Sequence, residues 1–319
     1  MTDPLFIEEK NRNTILPLRY PAIWEAYKLQ AACYWQPHEV DLTQDRKDWN
    51  SLDNDERYFL KHILAFFARS DLIVNENIEE RFKNDVKIME VKVAYAYQEM
   101  MENIHSEMYA LLIDTYIDTP KEKEYLFNAV ENIPSVAKKA AWAKKWITSD
   151  APYAERLVAF SAVEGILFSG AFCSIYWMKE RGKLPGLGKS NDFISRDEGQ
   201  HVEFAVMIHG LLKDKISVER LHEIISEAVA VEIEFIIDSL PCRLIGMNAD
   251  LMRQYVMYVA NRLVKQYGYP ELYPKATQPF SFMDRIGLKS KSNFFEKKPT
   301  EYSRKDTTKE EDVDPYANI

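Results

Sequence analysis

Two short stretches of this chain read Glu-x-x-His: Glu102-Asn103-Ile104-His105 and Glu198-Gly199-Gln200-His201. On an α-helix, side chains three positions apart share a face, so each stretch presents a carboxylate and an imidazole to one side. A pair of such stretches is what a carboxylate-bridged two-metal site in a four-helix bundle requires, with two further helices each adding one carboxylate. The requirement is demanding. It calls for four long helices, and the two extra acids must sit mid-helix in apolar surroundings.

The chain meets it. Asp53 or Asn54 is positioned to cap a helix, and no Gly or Pro interrupts Tyr58 to Phe82. That helix carries the core-rich run Phe59 to Ala68 and then Asp71. A second long helix, about 87–117, carries Glu102 and His105 and ends before Pro120. A third runs from Pro152 to about Arg181, stopped by Gly182, and holds Glu164. Gly165 and Gly170 lie inside it; glycine is costly there, so close packing or a π-bulge is expected. A fourth, about 191–212, carries Glu198 and His201. Further helices are expected over about 22–34, 122–132, 135–148, 217–239 and 247–267. Of these, 135–148 is Lys-rich and bears Trp142 and Trp146, which reads as a surface-packed helix. Residues 1–20, with Pro4 and Pro17, read as an irregular arm, 21–288 as the helical domain, and 289–319 as a flexible polar tail. The fold class is all-α.

Asp71 precedes Glu102 by 31 positions and Glu164 precedes Glu198 by 34, so the chain holds two half-sites of similar spacing. Asp71, Glu102, His105, Glu164, Glu198 and His201 offer oxygen and imidazole donors, which suit iron or manganese in their 2+ and 3+ states. Tyr109 follows His105 by one turn on the same stripe. Phe168 and Phe172 follow Glu164 at i+4 and i+8, and Ile194 precedes Glu198 by one turn. If the ligand faces meet, these three wall in Tyr109. A phenol beside an oxidising metal pair and shielded from water can lose an electron and a proton.

Composition narrows the function classes. A net charge of −9 speaks against a broad nucleic-acid surface. Cys33, Cys173 and Cys242 are odd in number and far apart, which excludes a disulfide framework and points to a reducing compartment. No basic, then apolar, leader opens the chain, and no run of 18 apolar residues occurs, so no membrane association is expected and a cytoplasmic location is. A thiol pair and a Gly-rich phosphate loop are also missing.

With these residues assembled, the chain resembles the small, radical-generating subunit of class I ribonucleotide reductase, of the eukaryotic and large-DNA-virus type. The resemblance covers about residues 12–302. It is most specific at Glu102 to Tyr109, Ala162 to Ile166, Ile194 to Gly199 and Lys291 to Glu296. It implies a ferritin-like bundle that forms a homodimer and holds two iron ions per chain, with manganese as the alternative. It further implies O₂ and an electron donor as reactants and a stable radical on Tyr109. Trp35 and Asp197 match a relay from His105 to the surface, and Tyr302 matches the tail tyrosine that passes the radical to the large catalytic subunit, where deoxyribonucleotides are made. Asp197 is placed to accept hydrogen bonds from both Trp35 and His105. The last eight residues, Asp312 to Ile319, differ from the acidic, Phe-terminated tail of animal relatives, which leaves Tyr316 as a competitor to Tyr302. The rival readings are another di-iron oxidase, such as an acyl desaturase, an iron-storage protein and an inactive paralogue.

Overall fold

Helix-forming segments separated by Pro, Gly and capping residues set the order of the chain. The computed structural model describes residues 3–9 and 12–283. Eleven principal helices are numbered here: α1 (Pro21–Ala32), α2 (Thr43–Ser51), α3 (Asn54–Asn77), α4 (Met89–Tyr116), α5 (Pro120–Phe127), α6 (Pro134–Ile147), α7 (Tyr153–Ala162), α8 (Ser169–Glu180), α9 (Pro185–Leu211), α10 (Val218–Ile233) and α11 (Ala249–Gln266). No strand occurs among the described residues.

The start of α3 is a capping box. Asp53 Oδ1 accepts from the Glu56 N–H at 2.8 Å, and Glu56 Oε2 accepts from the Asp53 N–H at 3.2 Å. The α3 and α4 helices form the most extensive helix pair. Against α4 packs α9, while Phe172 of α8 meets Phe67 of α3 and Tyr153 of α7 meets Tyr95 of α4, and the core lies between. The most apolar segment, Tyr153–Glu180, is long and apolar enough to cross a membrane, yet 94% of that window is buried inside the bundle.

The sequence reading is met at one point and departs at two. The distortion expected inside the third long helix is present: α7 passes into a π-helix at Val163–Leu167 before α8 begins. Gly165 lies in that π segment, where an added Cβ would come within 3.3 Å of Val202. The fourth helix starts at Pro185, six residues before the expected start, because a distant group caps it. Asp45, fully buried on α2, accepts from the N–H groups of Gly186 and Leu187 at 2.7 Å each, and Tyr116 donates to it at 2.6 Å. Finally, α6 keeps an exposed face with Lys138 and Lys145, as a surface-packed helix does, but its Trp142 and Trp146 stripe and even Lys139 are buried.

The N-terminal arm is irregular apart from a 3₁₀ turn at Pro4–Phe6, but it is lashed down. Glu90 on α4, fully buried, receives both guanidinium nitrogens of Arg12 at 2.7 Å and the Arg19 N–H at 2.8 Å. Residues up to Phe280 group into one unit. The proposed tail, with Tyr302, Tyr316 and the stretch Lys291 to Glu296, lies outside the described residues.

Candidate metal centre

Each of the six candidate ligands sits mid-helix with its side chain turned into the core. Asp71 comes from α3, Glu102 and His105 from α4, Glu164 from the π segment, and Glu198 and His201 from α9. All six are at most 2% exposed. The structure brings them together in two overlapping sets: Asp71, Glu102 and His105, and Glu102, Glu164, Glu198 and His201, with ligand atoms within 4.8 Å of one another in each set.

The two central glutamates face both imidazoles. Glu102 Oε2 lies 3.4 Å from His105 Nδ1, and its Oε1 lies 2.9 Å from His201 Nδ1. Glu198 repeats the arrangement, with Oε1 3.1 Å from His105 Nδ1 and Oε2 3.4 Å from His201 Nδ1. None of these approaches is aligned as a hydrogen bond. Both oxygens of Asp71, Glu102 and Glu198, Oε2 of Glu164 and Nδ1 of both histidines are buried without a hydrogen-bond partner. Unpaired buried polar atoms are expensive, and so many converging on one spot demand a cation. Burial, reinforced by the charges of Glu102 and Glu198, pushes the Asp71 carboxyl well above the usual range. Burial and neighbouring carboxylates do the same to Glu164. Oxygen and imidazole donors of this kind suit a hard-to-borderline metal ion, and each of the two sets could hold one.

Around this cluster are further groups. Asp197 Oδ2 accepts from Trp35 Nε1 at 2.7 Å and lies 3.1 Å from His105 Nε2. With Nε2–H donating to Asp197, the lone pair of His105 is left on Nδ1, facing the cluster. The Trp35 and His105 rings are stacked, 6.0 Å apart at 19°. Arg196 grips the other Asp197 oxygen through Nε at 3.0 Å and Nη2 at 2.8 Å. Gln98, one turn before Glu102, donates to Glu164 Oε1 at 2.8 Å. Sequence reading missed Arg196 and Gln98; only the i−4 position of Gln98 relative to Glu102 hinted at a shared face.

Tyr109 is 2% exposed and its hydroxyl has no hydrogen-bond partner. Burial, followed by the charge of Asp71, raises its phenol well above the usual value. The ring is covered by a residue not singled out from sequence. Phe67 lies parallel to it, with centroids 4.6 Å apart and planes within 2°. Phe172 and Phe168 then pack on Phe67 at 5.0 and 5.5 Å. Ile194 is buried on α9, one turn before Glu198. The signal for Phe67 was available, because it precedes Asp71 by one turn as Ile194 precedes Glu198.

Comparison with known proteins follows the same line. Residues 12–279 match the family described as "Ribonucleotide reductase, small chain". The chain belongs to this ribonucleotide reductase small-chain family. It is 52% identical over 303 residues to the ribonucleoside-diphosphate reductase small chain of Spisula solidissima, covering 95% of this chain and 79% of that one. It is 50% identical over 310 residues to the small chain of vaccinia virus (strain Ankara), covering 97% of each. Among solved structures it is similar to the ribonucleotide reductase Rnr4 homodimer of Saccharomyces cerevisiae, at 34% identity and a TM-score of 0.82, covering 91% of this chain and 92% of that one. Family membership makes the chain a ribonucleotide reductase small subunit, with the ferritin-like helical fold.

Proposed function

We propose that this small subunit holds two iron ions per chain, manganese being the alternative, on Asp71, Glu102, His105, Glu164, Glu198 and His201, and that it uses them with O₂ and an external electron donor to oxidise Tyr109. The observation that carries the reading is the convergence of unpartnered, buried carboxylate and imidazole atoms beside a buried phenol whose hydroxyl also lacks a partner. When bound, the two ions supply the oxidising equivalents of O₂ chemistry.

The chain's own groups do the rest. Glu102 and Glu198 each offer one oxygen to either side of the centre. Asp197 orients His105 from behind. Oxidation removes one electron and one proton from Tyr109. After burial, the charge of Asp71 is the largest influence on that hydroxyl and holds its proton on more tightly until oxidation. Phe67, Phe168, Phe172 and Ile194 keep water and reductants from the radical. Trp35 and Asp197 begin the route outward, and Tyr302 in the tail completes it at the large catalytic subunit, which converts ribonucleoside diphosphates to deoxyribonucleotides for DNA synthesis. Tyr316 is the competing tail residue. Splitting one long electron transfer into short steps through Trp and Tyr is what makes the distance passable.

The subunit is proposed to act as a homodimer in the cytoplasm, with residues 21–288 as the ferritin-like helical domain and 289–319 as the tail that docks on the large subunit. Leu72 on α3 and Met100 and Leu111 on α4 are at least 39% exposed and supply apolar surface for a second copy. The reduced cysteines fit the compartment. Electron paramagnetic resonance tests the reading: metal-free protein given Fe(II) and O₂ is expected to show a tyrosyl signal that Tyr109→Phe abolishes. Iron uptake without any radical in the unaltered chain would overturn it in favour of a two-electron oxidase.

A further inference from the structure

Glu164 and Phe168 ride on a stretch that is not regular α-helix. The π segment Val163–Leu167 ends at Phe168, and α8 resumes at Ser169. A π turn disturbs the i to i−4 ladder, so its backbone groups need partners from elsewhere. The Leu167 carbonyl at its end, and the Gly170 N–H in the first turn of α8, find partners in one buried ion pair. Lys139 on α6, 1% exposed, donates from Nζ to the Leu167 carbonyl and, at 2.6 Å, to Glu232 Oε2. Glu232 on α10, fully buried, accepts from the Gly170 N–H through Oε1 at 2.9 Å. The Lys139 ammonium also lies over the rings of Phe66 and Phe235, at 3.7 and 4.0 Å. A Cβ on Gly170 would stand 2.5 Å from Glu232 Oε1, so the glycine is what lets the carboxylate reach the backbone.

We propose that Lys139 and Glu232 are positioning residues for the metal centre: their ion pair clamps the end of the π segment and so fixes the placement of Glu164 and Phe168. What the clamp serves rests on the radical-generating reading above; the clamp itself does not. A small pocket of about 10 Å³, lined by Phe66, Ser70, Val163, Leu167, Phe168 and Lys139 among others, lies on this side of the segment. Burial opposes the pair's charges, pulling Lys139 down to about 8 and raising Glu232. Apolar residues of similar size are therefore expected to stabilise the fold as well or better. They cannot bond the Leu167 carbonyl or the Gly170 N–H. The charged pair supplies direction where an apolar pair supplies only volume.

The decisive variant is Lys139→Met/Glu232→Leu, read three ways. Its melting temperature is expected to equal or exceed that of the unaltered chain. Amide exchange over residues 163–170 of the metal-free protein is expected to quicken at least tenfold, and the half-life of the Tyr109 radical in the loaded protein to shorten at least tenfold. Glu232→Gln keeps the shape and provides the test should the double variant not fold; it is expected to quicken that exchange at least threefold. Tyr116→Phe is the control, since it removes a buried hydrogen bond to Asp45 away from the segment. It is expected to leave both segment exchange and half-life within twofold. A folded charge-free variant with native exchange and native half-life overturns the clamp, as does Glu232→Gln with native exchange. A Tyr116→Phe that reproduces the changes overturns it too, by showing general loosening. If the unaltered chain forms no radical, the functional reading falls, and the exchange measurement on metal-free protein still decides the clamp.

Discussion

The ring of Phe67 lies flat against that of Tyr109, 4.6 Å between centroids and 2° from parallel. One residue thus seals a whole face of the phenol and anchors Phe168 and Phe172 behind it. Phe67→Ala is expected to cost about 3–5 kcal/mol of stability, the range for a buried Phe truncation. It is also expected to shorten the radical half-life at least tenfold as water enters. Thermal melts and the decay of the tyrosyl signal check both. A native half-life in a variant that has lost that stability would remove Phe67 from the pocket's function.

Asp71 predicts an exchange of stability for function. Its carboxyl is fully buried, both oxygens lack partners, and burial together with Glu102 and Glu198 pushes it well above the usual range. Ionised, that carboxyl is crowded by like charge, and held neutral it must take up a proton on folding, which costs stability near neutral pH; Asp71→Asn removes either cost, so the metal-free protein is expected to melt several degrees higher. The same change is expected to lower bound metal below two ions per chain. Calorimetry of the metal-free form and metal analysis of the loaded form measure the two effects, and a lower melting temperature would count against like-charge crowding.

Asp197 joins Trp35, His105 and Arg196 in one buried knot. Asp197→Asn weakens the orientation of His105 from behind, and loss of such a partner lowers metal affinity about 10–100-fold. Competition with a chelator reads this directly. An unchanged affinity would mean that α4 alone holds the imidazole in place.

The N-terminal arm gives the pH prediction. Burial by itself would raise Glu90, but hydrogen bonds from Arg12 and from the backbone of Arg19 and Tyr20 overcome it and hold the carboxyl at about 2. A carboxyl lowered in the folded state contributes stability above its unfolded value of about 4.5 and loses it as pH falls towards 2. That shift corresponds to at most about 3 kcal/mol. Amide protection over residues 12–20, corrected for the intrinsic exchange rate at each pH, is therefore expected to fall as pH drops through this window, and Glu90→Gln is expected to show the low protection already at neutral pH. Protection that is flat from pH 5 to pH 2 would show that Glu90 is not the lash.

Deleting Asp312 to Ile319 is expected to abolish turnover with the large subunit while leaving the Tyr109 radical intact. Activity retained after that deletion would move the docking function out of the last eight residues.

Much of the centre could be read before the structure was known, because it obeys a local rule. Residues three and four apart on a helix share a face, and this rule alone groups Glu102 with His105 and Tyr109, and Glu198 with His201 and Ile194. Phe67 obeys it as well, one turn before Asp71, and was hidden only by a run of other core residues. Arg196, Lys139 and Glu232 look from sequence like ordinary surface charges. The cap that lengthens α9 is equally invisible, since Asp45 stands 141 positions from Gly186.

By itself the sequence determined the helical class, the four ligand-bearing segments and which side chains share a face, since periodicity and backbone geometry act over a few residues. Only the tertiary structure decided which faces meet. Glu102 reaching His201, Phe67 covering Tyr109 and Lys139 bonding Leu167 are contacts between separate helices. They depend on how helices far apart in the chain pack, and no local spacing encodes that.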